Sequence, residues 1–402
     1  MLTVGIIGTG NIARAHLAAY SAFPTEVRIV GLADIVPAKA EAAREENGLT
    51  EATVYDDAGT MLAAEQLDLV SIATPPGTHC ALTVQALDAG VNVVVEKPMA
   101  PSLEECDRML EAQRRSGKLL SVIAQNRFRD DMAQLKAVLE SGKIGRIAHA
   151  RIASEWWRGH SYYDLWWRGT WESEGGGCTL NHAIHHIDLT LWLLGRPQAV
   201  TAMMTNAAHD NAEVEDLSIA ILQYERALAE LTSSVVHHGE QQEIVVQGEH
   251  ARISQPWRAV AETARPNGFP EAGGNAELVA ELDALAAQQT PLEHTGHTGQ
   301  LGDVISALAE GRAPLVDGED GKRAIELVTA IYAAAIERRT VDLPISPEDP
   351  YYRHGTLIDS APHFFEKTTS VASQDGDIIV GPTHRQPLPA STPSPLDRKD
   401  PS

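Results

Sequence analysis

The chain has 402 residues, a formal charge of −23, 43% apolar and 22% charged residues. That length accommodates two ordinary domains, and the composition is that of a folding globular protein. The acidic balance argues against nucleic acid and anionic membranes as partners, because phosphate binding needs a basic patch, but it leaves room for a small anion held by local arginines. Cys80, Cys106 and Cys178 have no paired spacing, which speaks against a disulfide framework. "MLTVGIIGTG" reads as a strand rather than a leader. No apolar run reaches the roughly 20 residues that span a bilayer, so a soluble, cytoplasmic protein is expected.

"LTVGIIG" is a β-branched run, and "GTGNIARAHLAAY" continues it as a helix opened by glycines. Gly8, Gly10 and Ala13 form G-x-G-x-x-A: a tight turn, an approach path for a pyrophosphate, and close helix–strand packing. Asn11 and Ile12 then lie at a helix N-terminus, where free N–H groups favour anions. A second strand, "VRIVGLAD", ends in Asp34, 21 residues past Ala13, where a carboxylate would bind a ribose 2′-hydroxyl and repel a 2′-phosphate. This favours NAD over NADP. The competing reading is that Asp34 only caps the helix entered at Pro37.

Strands are expected at 67–74 and 91–97, and the β-α alternation implies a parallel sheet covered on both faces. Ligands bind outside the carboxyl ends of such strands, so Thr74, Pro75, His79, Glu96, Lys97 and Pro98 should border a cofactor cleft. Pro98 is a candidate cis proline. Lys97, directly after "VVVE", is placed to move a proton, since burial beside a nicotinamide lowers an amine pKa; the alternative is a lysine merely paired with Glu96.

From about Ile144 the pattern becomes period-2 segments, expected to be antiparallel strands with one buried face. Between the first of these and a glycine triplet lies "EWWRGHSYYDLWWRGTWE", holding five of the seven tryptophans together with Arg158 and Arg168. It is equally a core plug and a substrate wall of rings and guanidinium forks. Arg127, His237 and His238 are further candidates for substrate contact. In "GGGCTLNHAIHHIDLTLWLLG" a continuous helix over 178–194 would put Asn181, His185 and Asp188 on one stripe and His182 and His186 on another. The second pair has i, i+4 metal spacing but no third ligand, so no metal is assigned. The glycines admit a substrate or neighbouring backbone. Two helices follow near the C-terminus, the second starting at Asp317 or Asp320.

Together, "GIIGTGNIARAH", "IATPPGTHCALTVQALDAGVNVVVEKPMA" and the glycine–histidine stretch resemble the glucose-fructose oxidoreductase/inositol dehydrogenase (Gfo/Idh/MocA) family over roughly residues 1 to 345. The resemblance implies an α/β protein: an NAD-binding Rossmann domain (1–125), an α+β domain with a large open, mostly antiparallel sheet (126–345), and a C-terminal extension (346–402), expected to be disordered beyond 367. It implies hydride transfer between NAD(P) and a secondary hydroxyl or ketone of a sugar, sugar acid or cyclitol. Lys97 and His185 would carry the chemistry, and Trp167 and Arg168 would gain substrate roles alongside Arg127 and Asp188. The family's usual aspartate four residues before the histidine is here Asn181, which shifts the proton toward Lys97. A homodimer or homotetramer is also implied. The rivals are an NAD-dependent glycosidase using transient oxidation and a non-enzymatic ligand sensor.

Overall fold

The computed structural model describes residues 1–353 and 355–371. Six strands, β1 (Leu2–Ile7), β2 (Val27–Ala33), β3 (Thr53–Tyr55), β4 (Leu69–Ile72), β5 (Asn92–Val95) and β6 (Leu120–Val122), form an all-parallel sheet in the order β3-β2-β1-β4-β5-β6. β4 is buried throughout and β5 nearly so, as the unbroken apolar runs require when helices cover both faces. The crossovers are α1 (Ala13–Ser21), α2 (Pro37–Glu46), α3 (Ala58–Ala64), α4 (His79–Asp88) and α5 (Leu103–Ser116). The strand order reverses between β1 and β4, and the crevice at such a switch point is where this architecture holds ligands. β3 and β6 have only three residues each, too few to leave a periodic signature in the sequence.

After α6 (Asp130–Glu140) comes a second sheet: β7 (Ile147–Glu155), β8 (Ala199–Thr205), β9 (Leu217–Gln223), β10 (Leu228–Ser234), β11 (Gln242–Gly248), β12 (Arg252–Gln255), β13 (Arg258–Val260) and β14 (Val341–Asp342). Its order is β13-β12-β11-β7-β10-β9-β8-β14, antiparallel except for the parallel β7–β10 pair. Side chains of β9 alternate buried and exposed, and Met203, Ile219, Ile221 and Leu228 stand on the open face.

Between β7 and β8 lie α7 (Trp171–Glu174), α8 (Cys178–Asn181) and α9 (Ile184–Leu194). The continuous helix expected over 178–194 is therefore broken: His182 and Ala183 form a turn, with both of their N–H groups directed to the Cys178 carbonyl. The uninterrupted apolar spacing gave no sign of this. Further helices are α10 (Ala276–Ala287), α11 (Gly296–Glu310), α12 (Gly318–Glu337) and α13 (Thr356–Ser360). The two long ones match expectation, and Asp317 caps α12 in a reciprocal box with Asp320. α11 packs on α1, while α12 is wedged between β8 on one side and α5 and β6 on the other, so the chain's last third joins the two sheets. Among the described residues no helix is long and apolar enough to cross a membrane.

The extension departs from expectation up to the limit of description. Thr368 to Val371 are not loose but hydrogen-bonded to Asn211, Asp164 and Trp166. The rest of the predicted disordered tail, 372–402, lies outside the described residues.

Candidate active site

The turn after β1 is built to leave room. Gly8 has φ +87° and lies so close to the end of β4 that a Cβ would stand 2.7 Å from Thr74 Cγ2. A Cβ on Gly10 would meet nothing within 4 Å. Asn11 and Ile12 are exposed at the entrance to α1. Asp34, at the end of β2, accepts from the Thr9 N–H (2.8 Å) and hydroxyl (2.9 Å) on one oxygen and from the Val36 N–H (2.9 Å) on the other. Partial burial opposes its charge, but these donors outweigh that and keep the carboxyl below its ordinary pKa. It thus braces the glycine turn and the Val36 backbone ahead of α2, whose N-cap is Val36 with no side-chain cap, so Asp34 is not itself the helix cap.

Thr74 and Pro75 follow β4 at the rim of the same crevice. His79 does not line it: it is wholly buried, bonded through Nε2 to the Thr74 carbonyl and through Nδ1 to that of Pro98, each at 2.8 Å. It ties the loop after β4 to the loop after β5, a brace where a cofactor contact was expected.

Glu96 and Lys97 end β5, and the Lys97–Pro98 peptide is cis. Glu96 is 4% exposed and takes hydrogen bonds from His16 Nε2 (3.0 Å), His297 Nε2 (3.3 Å) and the Lys97 N–H (3.1 Å). Burial works against its charge, yet the imidazole donors hold it well below the usual carboxylate range. His16 in turn meets Ser71 Oγ, which meets the Tyr20 hydroxyl. His16 and His297 were missed in the sequence; they sit 281 positions apart, and only the docking of α11 on α1 brings them to one carboxylate.

Lys97 and His185 line one cavity, with Met99, Ile123, Ile184 and Val316 supplying apolar walls. Burial lowers the Lys97 pKa, Glu96 opposes this, and Arg168 reinforces it. Burial and the neighbouring Lys97 charge hold His185 well below its ordinary value, hence neutral. Asn181 is spent locally: its amide donates to the Gly176 and Gly177 carbonyls at 2.7 and 3.3 Å.

The aromatic stretch forms a cluster of its own. The Arg168 guanidinium is sandwiched between the rings of Tyr162 (4.2 Å) and Trp167 (4.1 Å), and its Nη1 donates to buried Glu174 at 2.7 Å. Tyr162 also reaches His182 Nε2 at 3.3 Å, while Arg158 lies over Trp156 and Tyr162 and pairs with Glu240. Arg168 Nε and His182 Nδ1 are buried with no protein partner. His237 and His238 stay at the edge, the latter stacked on Trp157.

Arg127 and Asp188, anticipated at the substrate, clasp each other through two parallel hydrogen bonds of 2.9 and 2.7 Å, and Arg127 also reaches Asp320 at 3.1 Å, while Asp188 still lines the Lys97–His185 cavity. Both are about 95% buried. A buried fork already satisfied by a carboxylate has little left for a ligand. Partners 61 positions apart left no local trace.

Comparisons agree with this architecture. Residues 2–124 match the family model described as "Oxidoreductase family, NAD-binding Rossmann fold", and residues 132–254 match the GFO/IDH/MocA C-terminal domain. The chain is 32% identical to the D-glucoside 3-dehydrogenase of Escherichia coli (strain K12) over 202 residues, 49% of this chain and 55% of that protein. It thus spans little more than half the length of that relative. Identity to the inositol 2-dehydrogenase of Rhizobium meliloti (strain 1021) is 26%, over 84% of this chain and 98% of the other. The WlbA dehydrogenase from Bordetella pertussis, solved with NADH and UDP-GlcNAcA, superposes with a TM-score of 0.73 at 29% identity, covering 86% of this chain and 99% of that one. With its N-terminal and C-terminal regions each matched by a model of that family, the chain belongs to the Gfo/Idh/MocA oxidoreductase family.

Proposed function

We propose that the protein is an NAD-dependent oxidoreductase acting on a secondary hydroxyl or ketone of a sugar, sugar acid or cyclitol. The observation that carries this is the shared cavity of Lys97 and His185, one group from each sheet region, at the carboxyl ends of β5 and β6 of the parallel sheet. The open space over Gly10 and the anionic Asp34 fit a dinucleotide with a free ribose 2′-hydroxyl. Gly8 to Ile12, Asp34, Thr74 and Pro75 would hold it, and bound there NAD supplies hydride acceptance and donation.

The chain's own part is proton handling and orientation. Lys97 Nζ, its pKa lowered by burial, takes or returns the hydroxyl proton. Neutral His185 serves as a hydrogen-bonding partner to the same oxygen. Glu96, kept anionic, limits how far the lysine pKa can fall. The unpartnered Arg168 Nε and His182 Nδ1 offer polar contacts to a ligand, and the Trp167–Arg168–Tyr162 stack offers flat faces to a ring. The relatives named above act on a glucoside and an inositol, and the WlbA complex holds an acidic nucleotide sugar; these frame the substrate class.

A panel of sugars, sugar acids and inositols with NAD or NADP, followed at the nicotinamide absorbance, tests this reading. NADH formation by the unsubstituted protein, lowered on the order of 10³-fold in Lys97→Ala with NAD binding retained, is the expected result. Full turnover in Lys97→Ala, or none from the parent on the whole panel, would overturn it. The apolar open face of β8, β9 and β10, with Met203 77% exposed, is the surface we assign to a second copy of the chain; sedimentation as a monomer would refute that.

A further inference from the structure

The segment 361–371 lies past the stretch that carries the family resemblance, yet it is stitched along the second half of the aromatic stretch, from Tyr163 to Trp171. Trp171 Nε1 donates to the Pro362 carbonyl at 3.0 Å, and the Phe364 N–H donates to the Glu213 carbonyl at 3.1 Å. The Lys367 ammonium donates to the Tyr163 carbonyl. Asn211 is the central clasp: its Oδ1 accepts from the N–H groups of Thr368 (2.8 Å) and Thr369 (2.9 Å), and its Nδ2 donates to the Thr369 carbonyl (3.0 Å) and to Asp164 Oδ1 (2.8 Å). The Val371 N–H donates to the Asp164 carbonyl at 2.7 Å, and the Trp166 N–H returns to the Val371 carbonyl at 3.0 Å, making a parallel bridge between Leu165 and Val371.

This stitching matters because the aromatic stretch has little order of its own. After a 3₁₀ turn at His160–Asp164, no helix or strand supports it before Trp171. Several backbone groups between Tyr163 and Trp166 find their partners in the strap rather than in a local ladder, and backbone groups left without partners favour looser, solvated conformations. The stacked side chains of Tyr162, Trp167 and Arg168, the last of which acts electrostatically on Lys97, are carried on this same stretch.

We propose that segment 361–371 is a specificity element: it fixes the Tyr162–Arg168–Trp167 wall for binding the carbohydrate ring, and Asn211 is the positioning residue that couples strap to wall. The proposal rests on the reading that this wall meets the substrate. Among the described residues the strap's hydrogen bonds go to Tyr163, Asp164, Trp166, Trp171, Asn211 and Glu213, and not to Gly8, Asp34 or Glu96. Loosening the strap therefore weakens carbohydrate binding and spares the nucleotide.

The test uses full-length Asn211→Ala and Val371→Pro, which cut the clasp at separate points. Hydrogen–deuterium exchange should quicken across residues 160–168 in both and stay unchanged across residues 4–13. On the best substrate of the panel, KM should rise on the order of tenfold while kcat and the NAD dissociation constant hold, the signature of lost ground-state positioning. Unchanged KM in both variants would overturn the proposal, as would exchange at 160–168 no faster than in the parent. A uniform loss of kcat, nucleotide affinity and exchange protection would also overturn it, by showing a general loss of stability. Failure of the parent reading is distinguishable, since it shows as absence of turnover in the unsubstituted protein.

Discussion

Two glycine-rich turns look alike in the sequence and do opposite things. At Gly10 the missing side chain leaves open space at the mouth of the parallel sheet, where a Cβ would touch nothing within 4 Å, although Gly8 beside it is packed against Ala73 and Thr74. Around Gly175, Gly176 and Gly177 the space is filled by the protein itself. A Cβ on Gly176 would stand 2.3 Å from the Tyr332 hydroxyl, and one on Gly177 1.8 Å from the Glu215 carbonyl oxygen. Buried Glu215 closes the arrangement by accepting from the Gly177 and Thr179 N–H groups at 3.0 Å and from the Tyr332 hydroxyl at 2.9 Å. Of the two options the triplet left open, substrate or neighbouring backbone, the second is what occupies Gly177. A glycine motif therefore announces close approach without saying of what.

Substitution separates the two cases. Gly177→Ala should cost about 3 kcal/mol or more, because the obstacle is backbone that cannot swing aside. Chemical denaturation would read this as a lower midpoint or as failure to fold. Gly10→Ala should leave the denaturation curve where it is and weaken NAD binding roughly tenfold, since the added methyl group projects only into the space reserved for the ligand. Equal and small effects on stability would erase the distinction.

The same contrast explains what could be read in advance. Gly8, Asp34 and Lys97 are set by short-range patterns: a turn, a strand end, a polar residue after an apolar run. The parallel sheet and the alternating second sheet were legible for the same reason, as each strand carries its burial pattern in its own residues. What stayed hidden is long-range. Arg127 resembles a ligand-binding arginine until Asp188 is found in its fork, and His297 resembles a surface histidine until α11 docks on α1 and brings it to Glu96. The break at His182–Ala183 was invisible because tertiary contacts at Glu215 and Tyr332, not local propensity, define where α8 sits.

The two regions also differ in how they treat a buried glutamate, and this gives the smaller and finer prediction. Glu96 has three donors and is held well below the ordinary range against the cost of burial. Glu174 has Arg168 and the Gly169 N–H, but Glu215 repels it, and burial prevails: its pKa is pushed up to about 7. The signs of the resulting stability contributions are opposite. For Glu96 the folded pKa lies below the unfolded one, so its contribution is present above about pH 4.5 and is lost as the pH falls through the folded value. Glu96→Gln should therefore lower stability by about 2 kcal/mol at pH 7, and the gap to the parent should narrow in acid. For Glu174 the folded pKa lies above the unfolded one, so the folded state is favoured below about 4.5 and progressively loses that advantage as the pH rises to about 7. Glu174→Gln should remove this decline, so that the variant gains on the parent between pH 5 and 8 in melting temperature. A parallel pH response from both variants would mean that the Arg168 charge, rather than burial, governs Glu174, and the two buried glutamates would then be electrostatically alike.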